Sequence, residues 1–159
     1  DDECAQADRD SDVAPGTCRA LLDRIVPDLD GGQHPRDLSE GQRLGLVLAV
    51  QLTPSPRVVL LDEPTRGLDY VAKDRLAAVL AELADAGSAV VVSTHDVEFA
   101  AVVAHRVVVL ADGEVVGDGP AADVIASSAA FAPQVAKVLH PQRWLTVAAV
   151  ADALTEVVS

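Results

Sequence analysis

Aromatic side chains are scarce in this 159-residue chain: one Trp, one Tyr and two Phe, or 3%. The apolar residues, 50% of the total, must therefore build an interior from Val, Leu and Ala. Lysine occurs only at Lys73 and Lys137, and the formal net charge is −13. A surface that acidic repels a phosphate backbone and argues against a nucleic-acid partner. Cysteine occurs only at Cys4 and Cys18, without metal-ligand spacing. The pair reads as reduced thiols of a cytoplasmic protein. No stretch approaches the ~20 consecutive apolar residues of a membrane span, and no secretory leader opens the chain, so a soluble protein is expected. The most telling absence is a motif. GxxxxGK[ST], the loop whose backbone N–H groups and lysine cradle phosphates, occurs nowhere.

What is present divides into four stretches. Residues 1–16 carry six acids against one arginine and almost nothing apolar. They are expected to stay loose, because they bury too little to offset their ordering entropy. Thr17 is a candidate N-cap for a short helix with Leu21, Leu22, Ile25 and Val26 on one face. Pro27 and the turn Asp30-Gly31-Gly32 stop it.

LSEGQ at 38–42 opens the next element. Ser39 can cap a helix from Glu40 to Leu52 that is apolar on nearly every side, a pattern of buried helices. Such a helix start offers N–H groups and the positive end of a dipole to an anion. Gly41 permits close approach of backbone to phosphate. An ordinary capped helix is the default reading of LSEGQ alone.

The motifs that follow change that reading. Pro54-Ser55-Pro56 breaks the chain, and Val58 to Leu61 then reads as a central parallel strand buried on both faces. It ends in Asp62-Glu63-Pro64, at the strand end where ligands bind in open α/β sheets. Thr65-Arg66-Gly67-Leu68-Asp69 comes next, with Asp69 placed to cap a helix from Tyr70 to Asp85. Ala89 to Ser93 is a second apolar strand, followed by Thr94-His95-Asp96. A helix from Val97 to Ala104 leads to a strand at Arg106–Ala111. The Asp112-Gly113 turn joins it to Glu114–Gly117. A helix from Pro120 to Ala126 and two helical stretches beyond Phe131 complete the chain, with Trp144 and Leu145 expected between those last two.

LSEGQ, VVLLDEP, RGLD and STHD, in that order and spacing, resemble the ATP-binding-cassette (ABC) ATPases over residues 17–128. The chain looks like the C-terminal half of such an ATPase domain. The fold implied is α/β: part of a P-loop NTPase core with a mostly parallel sheet, a late antiparallel hairpin and a helical extension. The implied division is an acidic segment 1–16, a helical subdomain 17–54, the C-terminal core 55–128 and an extension 129–159. FAPQVAKVL and LTVAAVADAL in the tail resemble the extension of ATPase subunits in energy-coupling factor (ECF) importers of vitamins or metal ions.

The resemblance also assigns roles. Asp62 holds Mg²⁺, through water, and Glu63 polarises the attacking water. His95 contacts the γ-phosphate of ATP. Ser39, Gly41 and Gln42 face the γ-phosphate bound by the opposite subunit, and Gly67, Leu68 and Asp69 cross the dimer interface. Glu40 departs from the commoner pattern of the family, which has glycine there; its carboxylate favours the helix N-terminus but repels a phosphate unless turned away. His34, His105 and His140 receive no chemistry. The implied partners are a second ABC ATPase domain and an integral membrane transport subunit, at the inner face of the cell membrane. Lacking its own phosphate loop, the chain alone is expected to be inactive. The alternatives are a soluble ABC-type ATPase of DNA repair or translation, or a docking fragment. A repair ATPase enters its signature from a long coiled coil that residues 1–30 do not supply, and translation factors are usually basic.

Overall fold

The computed structural model describes residues 1–127, 132–139, 142 and 144–158. The chain divides into two compact units, Asp1–Ser93 and Thr94–Ser159.

In the first unit, α1 (Asp2–Asp10), α2 (Thr17–Ile25) and α3 (Glu40–Leu52) pack on one another. Their shared core is Cys4, Ala7, Cys18, Leu22, Leu29, Leu38 and Ala49. The acidic segment expected to be loose is thus helical from Asp2, and Cys4 within it is buried, as is Cys18. Two features missing from composition explain the difference. The few small apolar residues, Cys4 and Ala7, share one face with Asp8, and that face enters the core. Asp8, 4% exposed, accepts N–H bonds from Gly16 (2.6 Å) and Cys18 (2.8 Å). It satisfies two orphan donors at the start of α2, work expected of Thr17. Gly16 is the N-cap and Thr17 the first helical residue; the Thr17 hydroxyl turns back to the Ala14 carbonyl instead.

Strands β1 (Val58–Asp62) and β2 (Ala89–Ser93) pair in parallel, in register from Val58↔Ala89 to Asp62↔Ser93. Between them α4 (Tyr70–Asp85) crosses over, capped by Asp69, whose carboxylate accepts the Ala72 N–H at 2.8 Å. Its buried stripe is Leu76, Ala77, Val79 and Leu80. The expectation that β1 is buried on both faces is corrected. Val59 is buried, but its neighbours Val58 and Leu60, pointing the other way, are 59% and 73% exposed. Alternation across a strand sends successive side chains to opposite faces, and no described element covers the second face. Helix α3 likewise buries one stripe, Gly45, Leu48, Ala49 and Leu52, and leaves Val47 half exposed.

In the second unit, α5 (Val97–Val103) precedes an antiparallel hairpin of β3 (Arg106–Ala111) and β4 (Glu114–Pro120). Asp112 and Gly113 turn it with φ of 51° and 82°, the two positive values a type I′ turn needs. The Arg106 guanidinium grips Asp118 through two bonds of 2.8 Å and holds that carboxyl below its usual range. Strand β4 runs three residues beyond its expected end at Gly117, so α6 (Ala121–Ser127) starts after Pro120 rather than at it. Helices α7 (Gln134–Val138) and α8 (Val147–Val158) complete the unit, with Trp144 and Leu145 half-buried between them in sequence. Phe131, expected to begin this tail, lies outside the described residues. Among the described residues, no helix is long and apolar enough to cross a membrane.

Candidate functional site

Ser39 enters α3 with extended backbone, as an N-cap should, and builds a reciprocal capping box. Its hydroxyl accepts the Gln42 N–H at 3.2 Å, and the Gln42 side-chain oxygen accepts the Ser39 N–H at 2.9 Å. The Gln42 carbonyl is thereby committed to the helix start. The N–H groups of Glu40 and Gly41 take no part in this box and lie at the positive end of the helix dipole.

Beyond β1 the chain turns twice in seven residues. The Glu63 N–H donates to the Ser93 carbonyl at 2.8 Å, one step past the β1–β2 ladder. Glu63 has φ +47°, a left-handed conformation that costs a non-glycine residue energy and concentrates at functional sites. Pro64 and Thr65 are buried and fix the root of the loop. Bonds from the Arg66 N–H to the Glu63 carbonyl (3.2 Å) and from the Leu68 N–H to the Thr65 carbonyl (3.1 Å) close its turns. Asp62 is exposed at the strand end, and Glu63 is half-buried beside it.

This loop lies directly against the start of α3. A Cβ on Gly41 would collide with the carbonyl oxygen of Gly67 and stand 3.5 Å from Leu68 Cδ2. A Cβ on Gly67, which has φ +74°, would sit 3.1 Å from Glu40 Cγ and 3.3 Å from the Gly41 nitrogen. Arg66 Nε lies 3.2 Å from Glu40 Oε1. Glu40, Gly41, Gly67 and Leu68 thus form one surface, joined to Asp62 and Glu63 through the hydrogen-bonded turns. The Arg66–Glu40 pair and the buried Thr65 went unassigned in the sequence. The charge opposition of two motif residues was visible there, but nothing in the spacing said that they touch.

His95 belongs to the second unit, exposed in the turn before α5. The turn is ordered locally: Thr94 Oγ1 accepts the Asp96 N–H at 3.0 Å, and Asp96 caps α5 by accepting the Phe99 N–H at 3.0 Å. Among the described residues, a depression of about 290 Å³ is lined by Asp23, Arg24, Pro27, Arg75 and Ala78. It is wide open and contains none of the motif residues, so the candidate site is an exposed surface rather than that groove. No three His, Cys, Asp or Glu side chains among the described residues form a metal cage. Mg²⁺ does not require one: it binds through one or two carboxylates, waters and substrate phosphates. The exposed Asp62 carboxylate supplies the hard oxygen donor such an ion takes.

Residues 5–101 match a family model described as "AAA domain, putative AbiEii toxin, Type IV TA system". A protein of Streptomyces coelicolor named as a putative ABC transporter ATP-binding protein is 65% identical over 96% of this chain, which spans 27% of that relative. The cobalt import ATP-binding protein CbiO of Rhodobacter capsulatus is 43% identical over 60% of the chain, which covers 34% of it. The dimeric structure of an ATP-binding cassette in a post-hydrolysis state, bound to ADP and Pi, superposes with a TM-score of 0.57. It is 28% identical, over 65% of this chain and 45% of that one. The chain therefore belongs to the AAA-domain family of that model, and it resembles the C-terminal half of the nucleotide-binding domain of ABC transporter ATPases.

Proposed function

We propose that this chain is the hydrolysis and signalling half of an ATP-hydrolysing subunit in an ABC importer of the ECF type, driving uptake of a vitamin or metal ion. The observation that carries the reading is the seating of Gly41 against Gly67, which unites the signature helix and the loop after Asp62-Glu63 in one surface. The likeness to CbiO and the helical tail favour the importer over a repair or translation ATPase. In this reading Ser39, Gly41 and Gln42 face the γ-phosphate of ATP bound by a second ABC domain. Gly67, Leu68 and Asp69 meet that domain across the interface. Glu63 orients and polarises the attacking water, and His95 donates to the γ-phosphate, as a near-neutral imidazole can. Asp62 is the residue that would hold Mg²⁺, which when bound offsets charge on the β- and γ-oxygens. The subunit works at the inner face of the membrane against an integral membrane partner, with no nucleic acid involved.

The 159 residues alone should neither bind ATP tightly nor hydrolyse it, since they contain no GxxxxGK[ST]. In the full-length protein, Glu63→Gln is expected to abolish turnover while leaving Mg-ATP binding intact. Micromolar Mg-ATP binding to the isolated chain by titration calorimetry, or near-normal ATPase activity in the Glu63→Gln protein, would count against the proposal.

A further inference from the structure

The residue that departs from the family pattern, Glu40, has a specific partner. Its side chain lies across Gly67, where a Cβ on the glycine would approach Glu40 Cβ and Cγ at 3.2 and 3.1 Å. Its carboxylate Oε1 is 3.2 Å from Arg66 Nε. The left-handed φ of +74° and the missing side chain of Gly67 open the passage through which the carboxylate reaches Arg66.

We propose that Arg66 is a positioning residue that clasps Glu40 across Gly67, so that the glutamate ties the signature helix to the loop after Glu63 and its charge is directed away from incoming phosphate. This rests on the assignment of Ser39–Gln42 to a phosphate bound in trans. Both side chains are largely exposed, 80% for Arg66 and 65% for Glu40. As a contribution to folding such a pair is therefore weak. Its importance is local: a carboxylate released at the first turn of α3 faces the same space as a phosphate, and like charges a few ångströms apart repel even in partly solvated surroundings. The arginine therefore makes a glutamate tolerable where the commoner pattern has glycine.

The test uses the full-length protein with four variants: Arg66→Ala, Glu40→Gln, the double variant and Glu63→Gln. Arg66→Ala should raise the KM for Mg-ATP by about fivefold while kcat stays within roughly twofold of wild type, since ground-state repulsion is what is added. Adding Glu40→Gln should return KM to within roughly twofold of wild type, because no charge is left to neutralise. The KM increase should also shrink at high salt. An Arg66→Ala protein with unchanged KM, or one that Glu40→Gln does not rescue, overturns the clasp. The Glu63→Gln protein separates the two levels. If it keeps its turnover, the catalytic reading fails; if it is dead while Arg66→Ala is normal, only the clasp fails.

Discussion

The α-carbon of Gly41, in the first turn of α3, faces the carbonyl oxygen of Gly67 across a gap too narrow for a methyl group. The obstacle is backbone, so it cannot rotate aside. Gly41→Ala should therefore push the loop off the helix start and lower stability by about 1–3 kcal/mol, the usual cost of overpacking. Urea unfolding measures it. A midpoint equal to wild type would show that the loop gives way freely.

His95→Ala removes a γ-phosphate contact rather than the base under the proposed function. In the full-length protein, turnover should fall by about two orders of magnitude or more, as expected for loss of a group positioned in the transition state. ADP affinity should hardly change, because ADP lacks the phosphate that His95 touches. Equal weakening of ADP and ATP would make His95 a structural residue.

Burial, reinforced by a hydrogen bond with Cys18, pushes the Cys4 thiol from its ordinary 9.0 up to about 12. Because the folded value is the higher one, the unfolded chain ionises first. The associated stability is complete below pH 9 and is lost as pH rises from there toward 12. Wild type should lose more stability than Cys4→Ala between about pH 8.5 and pH 10.5, read as urea midpoints. Parallel pH curves for the two proteins would sink this account. Iodoacetamide should also label Cys4 slowly in the native state, since the thiolate is the nucleophile.

The uncovered face of the β1–β2 sheet presents Val58, Leu60 and Val91, which are 59%, 73% and 56% exposed. Apolar side chains adjacent on a sheet of unpaired edges invite association. Light scattering at low micromolar concentration should give a mass above the 16.5 kDa of one chain, and Leu60→Glu should reduce it. A sharply folding monomer in both proteins would mean that this face is tolerated in water.

Local chemistry made much of this protein legible from the sequence. The capping residue Ser39, the cap Asp69, the turn Asp112-Gly113 and the apolar runs Val58–Leu61 and Ala89–Ser93 act within a few residues, and the structure has them in place. Helices α3 and α4 begin and end where their signals are. The motif order was legible for the same reason, as a string of short-range patterns. Three things were decided only by tertiary structure, because each joins groups that no local spacing connects. Asp8 reaches Gly16 and Cys18, which turns an acidic stretch into an ordered helix with buried thiols. Packing of helices against one side of the sheet buries Val59 and leaves Leu60 in water, although both belong to one apolar run. Arg66 meets Glu40 across Gly67 because the loop after β1 is seated on the first turn of α3, and that encounter pairs two charges whose contact no local spacing announces.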